Sequence, residues 1–265
     1  MKKNTVKAKL KRGEPSLGTW LNIPDPTVSC FMTRVGFDWL TVELEHSPTT
    51  LEHATVMMSM VAGNGLIPLV RIATNSPVNI KQVLDCGAYG VIVPMVNSAE
   101  EAKAVVAAAR YAPEGARTIG GQLHAANFDT DSATYYARAN EEVLVIVMAE
   151  HVDAIERAEE ILSVPGIDVV FIGPNDLTKS MGLAPSFETE DPRFVHAVDH
   201  ILKTARKHGV VPGIHVGDAA MAKRRIAQGF QFVAVASDAG MLISKASEVA
   251  RDLNLNAGRG PLAKY

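Results

Sequence analysis

The sequence predicts an α/β protein folded as a closed (β/α)8 TIM barrel, and three observations carry that expectation. Short apolar, β-branched runs recur along the chain, as expected of parallel strands buried on both faces. They alternate about eight times with stretches whose apolar residues fall at intervals of three and four, the pattern of amphipathic helices. A chain of 265 residues is also of a length that such barrels reach as one domain. A doubly wound open sheet is the rival reading, and the strand count favours the barrel.

The candidate strands, in order, are LGTWL (17–21), WLTVELE (39–45), IPLVRI (67–72), GVIVPMV (90–96), VLVIVMAE (143–150), VVFIGPNDL (169–177), VPGIHV (211–216) and FVAVASD (232–238). SAEEAKAVVAAARYA (98–112) and VDAIERAEEILS (152–163) read as helices. The basic segment 1–16 is expected to form a short surface helix, and 254–265 a tail beyond the last helix. From Pro113 to Asn140 the chain is rich in Gly, Ala and polar residues. That connection is long for a barrel and is expected to lie over a site. Residues 1–265 are read as a single domain.

Composition excludes several classes of function. Hydrophobic residues make up 47% and charged residues 21%, enough apolar side chain for a sizeable core and no signature of disorder. The formal net charge of −3 provides no basic field for nucleic acid. No apolar run approaches the roughly 20 residues that span a bilayer, and the N-terminus lacks the apolar core of a secretory signal. Cys30 and Cys86 have no paired spacing and read as reduced packing residues. A soluble, cytoplasmic enzyme is the expectation.

In such a barrel the chemistry gathers where strands give way to the following loops. The second strand ends with Glu43, Glu45 and His46, the third with Arg71, the fifth with Glu150 and the sixth with Asp176. Each has a structural reading: Glu150 as the start of a helix, Asp176 as a turn or cap residue, Arg71 as an ion-pair partner, His46 as a hydrogen-bonded core histidine. Ionisable groups are costly to bury singly, so several on one rim point to a shared ligand. Two carboxylates ending neighbouring strands suit a divalent ion completed by water and substrate oxygens, magnesium or manganese rather than zinc, which lacks its His and Cys ligands here. Arg71 could hold a carboxylate or stabilise an oxyanion, and His46 is placed to act as a general base. The other histidines are treated mostly as structural. No lysine closes a strand, which counts against a Schiff-base aldolase.

The segments GFDWLTVELEHSP (36–48), PLVRI (68–72), VLDCGAYGVIVPMVNSAEEAKAVVAAARYAPEGAR (83–117), AEHVDAIE (149–156) and FIGPNDLTKSMG (171–182) together resemble the HpcH/HpaI aldolases, the metal-dependent class II pyruvate aldolases. The similarity runs from about Gly18 to Asp238. It implies a barrel that cleaves 4-hydroxy-2-oxo acids, heptanedioate or deoxy-sugar-acid types among them, into pyruvate and an aldehyde, or runs the addition. By the same resemblance Glu150 and Asp176 are the metal ligands, for Mg2+, Mn2+ or Co2+, and Arg71 stabilises the enolate. His46 is the catalytic base, Asp85 an acid raising its proton affinity, and Glu43 takes the place of an Asp beside the histidine. Arg71, Met148, Gly173, Pro174, Asn175 and Asp176 are the implied substrate contacts. The implied assembly is a homohexamer, a trimer of dimers that exchange helices. Two positions depart from the family pattern: Met148 replaces a Gln that contacts substrate, and GPNDL replaces GPADL. Acyl-CoA lyases of the citrate lyase β-subunit and malyl-CoA lyase types, and a non-catalytic metabolite-binding barrel, are the rival readings.

Overall fold

The computed structural model describes residues 1–255. A short helix α1 (Thr5–Lys11) precedes strand β1 (Ser16–Leu21), α2 (Pro26–Met32), β2 (Trp39–Glu43), α3 (Leu51–Gly63), β3 (Ile67–Arg71), α4 (Pro77–Asp85) and β4 (Gly90–Val93). There follow α5 (Ala99–Ala109), α6 (Leu123–Asn127), α7 (Ser132–Glu142), β5 (Leu144–Ala149), α8 (Val152–Glu156), α9 (Ala158–Leu162) and β6 (Val169–Ile172). Then come α10 (Pro174–Ser180), α11 (Pro192–His208), β7 (Val211–Val216), α12 (Ala219–Gln228), β8 (Phe232–Ser237) and α13 (Asp238–Asp252). The strands pair in sequence order, all parallel, and β8 closes on β1. This is the expected (β/α)8 barrel, and each expected strand falls on an observed one.

Large rings fill the barrel interior. Trp39 stacks on Phe232 at 4.2 Å between ring centroids, and Phe171 meets both Phe232 and Trp20 edge-on at 5.8 Å. Gly18 makes room for this: a Cβ there would lie 2.0 Å from the Trp39 ring. With these rings filling the barrel interior, the space between the strands opens toward their C-terminal ends.

Several elements differ from the sequence reading. Helix α1 buries one face, Val6, Lys7 and Leu10, and leaves Thr5 and Lys11 exposed. Polar side chains of this segment tie it to the N-terminal ends of β4 and β5. Asn4 Nδ2 donates to the carbonyls of Tyr89 and Glu142, and Lys7 Nζ donates to Val143 O at 2.8 Å and pairs with Asp168 at 2.9 Å. Lys7→Met strips the partly buried carboxylate of Asp168 of one of its two cations, Arg110 at 2.7 Å being the other. A loss of about 2 kcal/mol is expected, read as a lower urea midpoint at unchanged slope.

The expected helix over 152–163 is two, α8 and α9, separated at Arg157. The bend lets Ala154 and Ile155 on one side and Ala158, Ile161 and Leu162 on the other all face the core. The 113–140 connection does not cover a site in this chain. It forms α6 and most of α7 and packs at the N-terminal end, where Phe128 stacks on Tyr89 at 3.6 Å and Asn127 Nδ2 donates to Gly87 O. Of the expected tail, Asn254 and Leu255 follow α13, and residues 256–265 lie outside the described residues. Helix α13 buries only Asp238, so Leu242, Ile243, Val249 and Leu253 stand exposed. Among the described residues no helix is long and apolar enough to cross a membrane.

Candidate active site

The C-terminal strand ends surround a cavity of about 370 Å³ lined by Trp20, Asn22, Glu43, His46, Arg71, Met148, Phe171, Gly173, Pro174, Asn175, Asp176, Lys179, Pro185, His215 and Ser237. The register explains part of this convergence. Glu43 and Arg71 are paired residues on β2 and β3, and Met148 stands opposite Phe171 across β5 and β6.

Glu43 is fully buried. Its Oε1 accepts the backbone N–H groups of Glu45 and His46 at 2.6 and 3.0 Å, and its Oε2 accepts Arg71 Nε at 2.6 Å. This carboxylate therefore shapes the turn after β2 and fixes the guanidinium, while the resemblance had placed it beside the imidazole. The imidazole's ionic neighbour is Glu45 instead, with Oε2 3.7 Å from His46 Nε2. Burial raises the Glu45 carboxyl above its ordinary range, against the pull of Arg71 and His46. His46 itself stands half-exposed at the rim.

Arg71 lies over the Trp20 ring, Cζ 4.6 Å from its centroid, a cation–π contact that orients the group. Its Nε is committed to Glu43, and no described residue accepts a hydrogen bond from its two terminal nitrogens. A guanidinium clamped at one edge presents the other edge to a ligand.

Glu150 follows β5 and is nearly buried. Its Oε1 accepts the Met95 N–H at 2.7 Å, from a residue held in the left-handed region at φ 53°. Its Oε2 receives no hydrogen bond from the described residues. Burial pushes this carboxyl up to about 7, opposed by the Met95 hydrogen bond and Arg71 and reinforced by the charges of Glu45 and Asp176. Gly173 permits the close approach of β6, for a Cβ there would lie 2.7 Å from Glu150 Oε2 and 3.1 Å from Met148 Cε. Asp176 sits in the first turn of α10, its side chain without a donor among the described residues. The N–H groups of Asn175 and Asp176 have no intrahelical acceptor, as at any helix start.

Within one copy of the chain, Asp85 stands apart from the other expected site residues. Asp85 ends α4, so it lies at the N-terminal side of the barrel and pairs with Arg117 Nη2 at 2.7 Å. A helix that runs back to begin the next strand ends on the face opposite the site, and Asp85 does not meet His46 in this chain. Trp20, Asn22, Phe171, Lys179, Pro185, His215 and Ser237 were not singled out as site residues. For Trp20, Asn22, His215 and Ser237 the strand-end rule, applied to β1, β7 and β8 as it was to the other strands, carries the signal.

A parallel eight-stranded barrel that gathers carboxylates, a guanidinium and an imidazole at its C-terminal mouth is an enzyme scaffold for a small, oxygen-rich substrate. The chain belongs to the HpcH/HpaI aldolase/citrate lyase family, whose model matches residues 16–245, and that membership makes it a carbon–carbon lyase. It is 36% identical over 249 residues to a hydroxypyruvate/pyruvate aldolase of Rhizorhabdus wittichii, covering 94% of this chain and 98% of that one. It is 37% identical over 248 residues to a 4-hydroxy-2-oxo-heptane-1,7-dioate aldolase of Salmonella dublin, covering 94% of each. The crystal structure of an HpcH/HpaI aldolase from Desulfitobacterium hafniense superposes with a TM-score of 0.87 at 29% identity, covering 96% of this chain and 98% of that one.

Proposed function

We propose that the protein is a divalent-metal-dependent aldolase that cleaves 4-hydroxy-2-oxo acids to pyruvate and an aldehyde and catalyses the reverse addition. The observation that carries this reading is Arg71, clamped through Nε by buried Glu43 and offering its unbonded terminal nitrogens to the cavity. Such a fork suits the oxygen that becomes negative when a 2-oxo acid turns into its enolate.

Glu150 and Asp176 fit a hard cation. They end neighbouring strands, feel each other's charge, and keep oxygens that no described residue satisfies. No group of three or more His, Cys, Asp or Glu placed to hold a metal ion is found among the described residues, so water and substrate oxygens would complete the coordination, as suits magnesium, manganese or cobalt. When bound, the ion supplies positive charge beside the carboxylate and keto oxygens of the 2-oxo acid.

The chain's own groups do the rest. Arg71 donates to the oxygen at C2, and the free N–H of Asn175, next to Gly173 and Pro174, receives the carboxylate. His46 takes the proton of the C4 hydroxyl during cleavage and returns it in synthesis. Met148 places a thioether where an amide would offer a hydrogen bond, leaving an apolar wall with Phe171. Removal of the base by His46→Gln is expected to lower kcat by roughly 10²–10⁴-fold with little change in melting temperature, as befits a half-exposed side chain.

We place the protein in the cytoplasm as a homo-oligomer, a hexamer built from dimers. The bare apolar face of α13 supports association, and Asp85 could bear on His46 only from a second copy. Light scattering behind size exclusion tests the assembly, a monomer being the adverse result. Pyruvate release from a 4-hydroxy-2-oxo acid, followed by coupled reduction with and without chelator, tests the activity. Turnover of an acyl-CoA substrate with none of the free acid would overturn it.

A further inference from the structure

His215, on β7, takes no part in the chemistry above, yet it borders the same cavity as His46. Its ring is held on three sides. Trp20 meets it edge-on at 5.5 Å between centroids and Phe187 at 4.8 Å, while Nε2 lies 3.2 Å from the carbonyl oxygen of Ala236. Ala236 sits in the left-handed region at φ 50°, a conformation costly for a residue with a Cβ.

These contacts settle the chemical state of the ring. A carbonyl only accepts, so Nε2 carries the hydrogen. Burial drives the imidazole down to about 3, against the pull of the Ala236 carbonyl, so it stays neutral at working pH. Nδ1 is then a lone-pair acceptor. No described residue donates to it, and His215 lines the cavity as a partly buried residue.

Among the cavity's polar side chains, Glu43 and Arg71 bind each other, whereas His215 presents a fixed, uncharged acceptor. Only a hydrogen-bond donor complements such a group; pyruvate brings none, and the C4 hydroxyl of the cleaved acid is taken by His46. We propose that His215 Nδ1 is a specificity-determining acceptor for a hydroxyl group of the aldehyde partner, so that this enzyme takes hydroxylated aldehydes in preference to their deoxy counterparts. The proposal rests on the aldolase reading and names the substrate class of its second substrate.

The test compares glycolaldehyde with acetaldehyde, which lacks the hydroxyl, as partners for pyruvate in wild type, His215→Phe and His215→Asn. Phenylalanine keeps the ring and removes the acceptor, and asparagine places Oδ1 about where Nδ1 stands. The expected result is a ratio of kcat/KM, glycolaldehyde over acetaldehyde, that falls about tenfold in His215→Phe and recovers in His215→Asn. A merely structural ring would change both aldehydes by the same factor. His215→Leu supplies the same comparison where His215→Phe does not fold. A ratio unmoved in the apolar variants, or lost equally in His215→Asn, overturns the proposal. Metal-dependent deuterium exchange at the pyruvate methyl of the wild type, followed by NMR with no aldehyde present, reports the aldolase reading by itself. Its absence condemns that reading, and its presence with an unmoved ratio condemns the His215 assignment alone.

Discussion

The double variant Glu150→Ala, Asp176→Ala is expected to lose metal-dependent turnover by about 10³-fold or more, because a Lewis acid at a developing oxyanion supplies several kcal/mol. The fold should persist, and in one respect improve. In the folded protein the Glu150 carboxyl keeps its proton up to about 7, whereas an exposed glutamate releases it near 4.5. Between those values the folded chain binds more protons than the unfolded one, so the stability of the metal-free protein falls as pH rises from about 4.5 to about 7 and then levels. The loss is on the order of 3 kcal/mol. Glu150→Gln should abolish this slope and unfold at higher urea than wild type at pH 8 in chelator. Saturating divalent ion should restore the wild type at the same pH, since a ligand of the folded state alone stabilises it. Urea titrations at pH 5 and pH 8, with and without metal, give all four quantities. A Glu150→Gln variant that keeps full turnover, or the wild-type slope, would refute the assignment of this carboxylate.

The same residue shows why the sequence was informative. Strands buried on both faces are written as unbroken runs such as LVIVMA, and each such run ended at a position the fold delivers to the barrel mouth. Glu150, Asp176 and Arg71 could thus be read from their places alone. What could not be read depends on distant partners. Lys7 and Asn4 become buried because the ends of β4 and β5 need donors, and nothing near residue 7 announces it. The 113–140 segment was assigned to the wrong end because its docking rests on the Tyr89–Phe128 stack, a contact across 39 residues. Asp85 is a different case. Helix polarity puts the end of α4 on the face opposite the site, so its separation from His46 within one copy was deducible, and the role the resemblance implies asks for a second copy. His215 was hidden because a lone histidine inside an apolar strand reads as core until its neighbours are known.

Arg71→Ala should combine the largest loss of stability with a large loss of rate, and the two can be separated. Glu43 has no exposed surface, and its Oε2 accepts a hydrogen bond of 2.6 Å from Arg71 Nε. Without the guanidinium a buried carboxylate loses its cation, which costs about 3–5 kcal/mol, and the turn it holds through the N–H groups of Glu45 and His46 loosens. The rate should fall a further 10²–10³-fold, the usual cost of one oxyanion donor. Arg71→Lys is expected to recover part of the stability and little of the rate, because one ammonium cannot both bind Glu43 and reach into the cavity. Adding Glu43→Gln to Arg71→Ala removes the stranded charge, so the double variant should be more stable than Arg71→Ala and equally inactive. Urea unfolding and steady-state kinetics on wild type, Arg71→Ala, Glu43→Gln and the double variant close the cycle, with Arg71→Lys measured beside them. Full turnover in Arg71→Lys would show that the terminal nitrogens do not act on substrate, and a double variant no more stable than Arg71→Ala would show that Glu43 does not depend on its partner for burial.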